Sequence, residues 1–373
     1  MTDDFREIIV DLGAISANVR QLRAAVGTAH TMAVVKANGY GHGAVPSARA
    51  ALEGGADWLG VADITEGLAL RRAGIHAPIL AWLHGPDENF VDAVDSGIDV
   101  GVSSLAQLEA LAEAARSGPP AFAQLKVDTG LSRNGIPSAD WTRVFEAAAR
   151  FHRQGRLLIR GLFTHLSGAS AEHDRAALRL FHRARQELAS YGLSPELEHA
   201  AASGAALTLP ESRLSAVRLG ISIYGLSPAP SVSAREWGLR PAMTLRTRVA
   251  AVRRVPPGTG VSYDYTYRTV EASTLALVPL GYAEGIPRSA SNRGPVTING
   301  ERYRVAGRVA MDQFVVDVGN AAVSAGDEVV IFGDPAEGHP SADDWAAASD
   351  TINYEIVTRL GGRAHHRYRE TRV

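Results

Sequence analysis

Between residues 11 and 227, short apolar runs alternate with longer amphipathic stretches. The runs are TMAVVKA from Thr31, WLGVAD from Trp58, PILAWL from Pro78, GIDVGV from Gly97, FAQLKVD from Phe122, LLIRGLFTH from Leu157, PELEHAA from Pro195 and LSAVRLG from Leu214. Each is too short for a helix and too continuous for a strand with one wet face, which predicts buried parallel strands. Alanine-rich stretches such as SLAQLEALAEAAR and ADWTRVFEAAARF lie between most of them and predict helices. Only a short helical piece, SGAALTL, joins the last two runs. Eight such strand–helix units predict a TIM-like (β/α)8 barrel. A doubly wound sheet of about five or six strands is the second choice.

Past YGLSPAPSVS, a stretch rich in proline and serine that reads as a linker, the texture changes. MTLRTRVAAVRRV, STLALVPLGY, GPVTINGERYRVAGRVAMDQFVVDV and GDEVVIFG alternate and turn as antiparallel strands do. The Asn299-Gly300 pair predicts a hairpin turn, and ADDWAAASDTINYEIVTRL predicts a closing helix. The early strand EIIVDL has no helix before it and is free to pair with this half. The expected division is a barrel over 11–227 and a mostly β domain made of 1–10 plus 228–373.

Composition narrows the function classes. With 46% hydrophobic residues, 373 positions supply a large core, and a net charge of −2 gives no basic excess to attract nucleic acid or anionic membrane. There are no cysteines, so disulfides, thiolate metal sites and a cysteine nucleophile are excluded together. The start, MTDDFREIIV, lacks the apolar core of a signal peptide, and no run approaches the roughly 18 residues of a membrane span. The expected location is the cytoplasm.

Five stretches carry candidate chemistry. In AVVKANGYGHG, Lys36 precedes its glycines, whereas a phosphate-loop lysine follows them. The glycine spacing also departs from the dinucleotide fingerprint. What remains is a lysine at the end of the first barrel strand, where barrel enzymes place catalytic groups. Partial desolvation there would lower its pKa, as a Schiff-base lysine requires. Taken alone, the stretch is explained more simply by a lysine snorkelling into water. In LKVDTGLSRNG, Arg133 suits a carboxylate, or else forms a surface ion pair. His165 ends FTHLSGA without a second ligand at metal spacing, and His173, His365 and His366 supply none, so no metal site is expected. In AVRLGISIYG, Arg218 precedes Gly220 and Ile221, at the position where barrels bind phosphate with backbone N–H groups. Ser203 adds a hydroxyl nearby. In GVSYDYTYR, tyrosines at 263, 265 and 267 alternate, which strand packing also produces.

Taken in order, AVVKANGYGHG, VDTGLSRNG, FTHL, VRLGISIYG, GVSYDYTY, GYAEGIPR and GRVAMDQ resemble the motifs of the alanine racemase family over nearly the whole chain. The resemblance implies a homodimer with shared active sites. Each site would bind pyridoxal 5′-phosphate and interconvert L- and D-alanine, supplying D-alanine for peptidoglycan. It implies that Lys36 holds the cofactor and acts as one base, and that Tyr263 of the partner subunit is the other. Arg133 would orient the substrate carboxylate or the cofactor's phenolic oxygen. Arg218 would face the pyridine nitrogen with His165 behind it. Tyr40, Ser203, Gly220, Ile221 and Tyr354 would hold the phosphate, and Met311 and Asp312 would line the entrance. Lys126 matches a position that some members carry as a carbamylated lysine. One departure is Ala202, where the family usually has asparagine.

The chemistry explains that set. Two bases on opposite faces of Cα invert it more simply than one mobile group does. An arginine, permanently charged, leaves a ring nitrogen unprotonated and limits carbanion delocalisation. The tyrosine must ionise below its usual pKa of about 10, which calls for positive charge nearby. A basic amino-acid decarboxylase of similar architecture would need a cysteine donor, which is absent. A cofactor-carrier protein built on the barrel alone would lack the β domain. A racemase of broader amino-acid scope stays open.

Overall fold

The computed structural model describes residues 5–229 and 231–371. β1 (Arg6–Asp11) comes first, and its last residue caps the following helix, Leu12–Val26, by accepting from the Ala14 N–H at 3.1 Å. Eight strands follow, one at each apolar run: β2 (His30–Val34), β3 (Trp58–Val61), β4 (Ile79–Ala81), β5 (Asp99–Val102), β6 (Ala121–Lys126), β7 (Leu157–Phe163), β8 (Leu197–His199) and β9 (Ala216–Leu219). They pair in parallel in the order β8-β7-β6-β5-β4-β3-β2-β9, and a parallel bridge from Ala202 to Arg218 closes the ring. The strands are covered on both faces, which is why their runs read as continuously apolar.

The interior alternates by residue, as strands require. Met32, Trp58, Leu80, Leu197 and Ala216 form one layer, with Trp82 packed against it. Gly60 makes room for it, because a Cβ there would lie 2.7 Å from the Trp82 ring. The interior also holds a polar series that the apolar runs conceal: Asp99, Gln124, Lys126, His199 and Arg218 are all buried. The β6–β7 register shifts between Ala123 and Gln124, so that Ala123 opposes Ile159 and Gln124 opposes Gly161. Arg160 is the extra, bulged residue.

The second half contains β10 (Met243–Arg248), β11 (Ala251–Val255), β12 (Gly260–Val261), β13 (Tyr267–Arg268), β14 (Ser273–Val278), β15 (Pro295–Ile298), β16 (Glu301–Arg304), β17 (Phe314–Gly319), β18 (Glu328–Phe332) and β19 (His365–Arg369). One sheet runs β16-β15-β18-β10-β1-β19, so the first strand sits between two strands of the second half. A second sheet runs β11-β14-β17. Asn299 and Gly300, both with positive φ, form the turn between β15 and β16. The closing helix is two helices, Ala342–Ser349 and Asn353–Thr358. Asp350 breaks it by adopting a left-handed conformation with φ of 56°. Asn353 Nδ2 then donates to the Ser227 carbonyl at 2.9 Å and to Asp343 Oδ1 at 2.7 Å. Those bonds fix Tyr354 beside the barrel.

Candidate active site

Lys36 leaves the barrel just past the end of β2. The next five residues are all left-handed: Ala37, Asn38, Gly39, Tyr40 and Gly41 have φ of 51°, 54°, 64°, 51° and 82°. Ala37, Asn38 and Tyr40 share the turn with the two glycines, at about 1–2 kcal/mol for each residue with a Cβ. Several bonds hold the turn. Glu66 accepts from the Ala37 N–H at 2.7 Å and, with its other oxygen, from the Ala62 N–H at 2.8 Å. Asn38 Oδ1 accepts from the Ala44 N–H at 3.0 Å, and His366 Nε2 on β19 donates to the Gly41 carbonyl at 2.7 Å. The turn folds Tyr40 back into the protein, with ring centroids 5.2 Å from Tyr224 and 6.2 Å from Tyr354.

The half-buried Lys36 Nζ lies 5.9 Å from the Trp82 ring centroid. Burial pushes its pKa below the ordinary lysine value, and the Arg133 charge pushes in the same direction, while Glu66 opposes them. At the barrel mouth Ser203 Oγ accepts from the Gly220 N–H at 2.9 Å. Ser203 is the first residue of the helix Ser203–Thr208; Ala202 occupies the cap position and offers no side-chain bond. A Cβ on Gly220 would lie 2.5 Å from Tyr40 Oη, so only glycine lets these two groups meet. Ile221 starts the turn Ile221–Tyr224. Burial raises the hydroxyl of Tyr40, and pushes that of Tyr354 up to about 12. Both therefore remain O–H donors at neutral pH, suited to an anion.

Arg218 is buried among neutral acceptors. Nη1 donates to His199 Nδ1 at 2.7 Å and to the His199 carbonyl at 3.2 Å. Nη2 donates to the Thr164 and Ala200 carbonyls at 2.8 and 3.0 Å and to His165 Nδ1 at 3.1 Å. Burial lowers the Arg218 pKa to about 10, so the group stays charged. His165 falls to about 3, through burial first and then the charges of Arg218, Arg133, Lys126 and Lys36, so it is neutral. Lys126 is buried beside Phe163, and burial, Arg218 and Arg133 bring its pKa down to about 8. The alternative of a surface ion pair in this loop does not hold. Asp128 Oδ1 accepts from the Gly130 and Ser132 N–H groups at 3.0 and 3.1 Å, and no ion pair involves Arg133 among the described residues.

Lys36, Lys126, Arg133, His165 and Arg218 thus act on one another electrostatically, and Tyr40, Ser203, Gly220, Ile221 and Tyr354 group beside them. Tyr263, Met311 and Asp312 lie elsewhere. Tyr263 opens the turn Tyr263–Tyr265 and is 69% exposed, and Met311 is 53% exposed. Asp312 accepts from Arg363 at 2.6 Å. Among the described residues, no hydrogen bond, ion pair or ring contact joins these three to Lys36, Arg133 or Arg218. Tyr267 turns away from them and donates to Asp317 at 2.8 Å. Sequence reasoning overlooked Glu66, Trp82 and His199. His199 was detectable, because it shares the interior face with Leu197 two residues earlier.

Comparison with known proteins identifies the family. Family models for the alanine racemase N-terminal and C-terminal domains match residues 10–228 and 242–368. An alanine racemase of Thermobifida fusca is 50% identical over 368 residues, covering 98% of each chain. The alanine racemase of Salinispora tropica is 50% identical over 360 residues, covering 95% of each. The crystal structure of alanine racemase from D-cycloserine-producing Streptomyces lavendulae superposes with a TM-score of 0.95 at 47% identity, covering 100% of this chain and 98% of that one. The chain belongs to the alanine racemase family.

Proposed function

We propose that this chain interconverts L- and D-alanine with pyridoxal 5′-phosphate held at Lys36. The observation that carries this reading is a lysine of lowered pKa sharing the barrel mouth with an anion cradle and a buried arginine. The donor set fits the cofactor. Lys36 supplies an amine for its carbonyl, and Tyr40, Ser203, Gly220, Ile221 and Tyr354 supply hydroxyls and backbone N–H groups for its phosphate. When bound, the cofactor withdraws electrons from the substrate Cα and acidifies its proton.

Lys36 takes or returns that proton on one face. Arg133 binds the substrate carboxylate through its planar fork. Arg218 offers only N–H groups, so a nitrogen facing it stays unprotonated, and His165 backs it. Tyr263 serves the opposite face from a second copy of the chain, and Met311 and Asp312 line that entrance. The exposure of Tyr263, Tyr265 and Met311 supports a homodimer, since such side chains favour a covered surface. Lys126, with its pKa near 8, is poised to add CO2 at Nζ, releasing a proton. The resulting carbamate would offset the charges of Arg133 and Arg218. The proposed units are 11–227 and 1–10 with 228–373. Supply of D-alanine to peptidoglycan from the cytoplasm is the proposed setting, and among the described residues no helix is long and apolar enough to cross a membrane.

A racemase of broader scope is not favoured, because the relatives compared above are named for alanine. A D-amino-acid oxidase-coupled assay across several L-amino acids tests the reading. Turnover concentrated on alanine is expected. A cofactor-loaded protein that forms no D-alanine would overturn it.

A further inference from the structure

The polar series inside the barrel forms one chain of hydrogen bonds that ends at Arg218. Arg160 Nη1 pairs with Asp99 Oδ1 at 3.1 Å, and Gln124 Nε2 donates to Asp99 Oδ2 at 2.9 Å. Gln124 Oε1 meets His199 Nε2 at 2.8 Å, and His199 Nδ1 accepts from Arg218 at 2.7 Å. Asp99, Gln124 and His199 are each 0% exposed. We propose that Asp99, at the barrel floor, is a positioning residue for Arg218: acting through Gln124, it fixes the one tautomer of His199 that can accept from Arg218.

The direction of every bond follows from chemistry. A guanidinium only donates, so His199 Nδ1 must present a lone pair. His199 is neutral, because burial and then the Arg218 charge drive its pKa well below the ordinary value. Its single N–H is therefore on Nε2 and needs an acceptor, which obliges Gln124 to present Oε1. The Gln124 amide then faces Asp99 and needs an acceptor there as well. A carboxylate accepts on both oxygens and so serves Gln124 and Arg160 together. An asparagine would turn its oxygen to Arg160 and its amide to Gln124, reversing Gln124. His199 would then carry its proton on Nδ1, donor against donor with Arg218, in a site where an unmatched polar group is costly.

Local structure is shaped to this chain. The bulge in β7 re-aims Arg160 onto the floor, with its guanidinium 4.6 and 4.8 Å from the Trp58 and Phe122 ring centroids. Gly161 leaves space for Gln124, since a Cβ there would lie 2.6 Å from Oε1. Phe163 stacks on His199 with ring centroids 4.7 Å apart and an interplanar angle of 8°.

This inference deepens the proposed role of Arg218, but its primary readout needs no cofactor. Nitrogen-15 NMR of the full-length protein with labelled histidines, assigned by the signal lost in His199→Gln, reports the tautomer. Wild type should show Nε2–H with a bare Nδ1. Asp99→Asn should move the proton to Nδ1 and lower kcat by about 10–100-fold, as for partners that orient a site group. The double variant Asp99→Asn/Gln124→Glu returns a carboxylate acceptor to His199 and should restore the Nε2–H tautomer and most of kcat. An Nδ1–H or doubly protonated His199 in wild type overturns the proposal, and decides it even if Asp99→Asn does not fold. An unchanged tautomer in Asp99→Asn overturns it too. An inactive wild type with the expected tautomer would sink the racemase reading and leave this one standing.

Discussion

Replacing Gly220 by alanine tests the anion cradle most sharply. The new Cβ would sit 2.5 Å from Tyr40 Oη and 3.1 Å from Cζ. Ordinary contact begins at 3.4 Å, so the hydroxyl must retreat by about 0.9 Å. Tyr40 has little freedom to do so. Its ring is wedged between Tyr224 and Tyr354, and its backbone is locked in the left-handed turn. Overpacking of this kind costs about 1–3 kcal/mol of stability. A displaced hydroxyl also forfeits a hydrogen bond to a charged phosphate, about 1.5–3 kcal/mol, or roughly 10–150-fold in cofactor affinity. Titration of the apoprotein with pyridoxal 5′-phosphate, with thermal unfolding alongside, measures both quantities. Tyr40→Phe should lose affinity but little stability, and Gly220→Ala in that background should cost less than it does alone. A Gly220→Ala protein with unchanged stability and affinity, or a double variant whose losses simply add, would refute the reasoning.

Three further outcomes are expected. Gly41→Ala places a Cβ 2.2 Å from the Val357 carbonyl at a φ of 82°, and should destabilise the fold by about 2–5 kcal/mol in thermal unfolding; a wild-type Tm would show that the turn is not strained. Unmodified Lys126 binds fewer protons folded than unfolded between about pH 8 and its ordinary 10.5, so apoprotein stability in CO2-free buffer should rise over that window by up to about 3 kcal/mol. Lys126→Met should flatten that slope, and an equal slope in the variant would exclude Lys126 as its source. Dilution that dissociates the dimer should abolish racemisation while each chain keeps its cofactor, as followed by light scattering and absorbance; a fully active monomer would contradict the shared site.

The barrel was legible because strands buried on both faces leave continuous apolar runs, and because strand ends locate the candidate groups. Arg218 and Lys36 were found that way. The left-handed turn was not legible, since Ala37 and Tyr40 carry no local mark of it and two of the residues that hold it, Glu66 and His366, are far away in sequence. The polar floor was hidden inside the runs GIDVGV and LLIRGLFTH, where Asp99 and Arg160 stand singly among mostly apolar neighbours. Only the register shift between β6 and β7 shows where Arg160 points. The split at Asp350 also escaped notice, because the helical periodicity continues across it. Tyr263 is the opposite case: its assignment came from motif resemblance, and within one chain it lies on an open surface.

The proposed inversion at Cα by Lys36 and Tyr263 from two subunits is open to direct measurement. Optical rotation of an L-alanine solution, followed with wild type and with Tyr263→Phe at equal cofactor loading, tests it most directly. Rotation should fall to zero with wild type and persist with Tyr263→Phe. Equal decay with both proteins, or none with loaded wild type, would contradict the account.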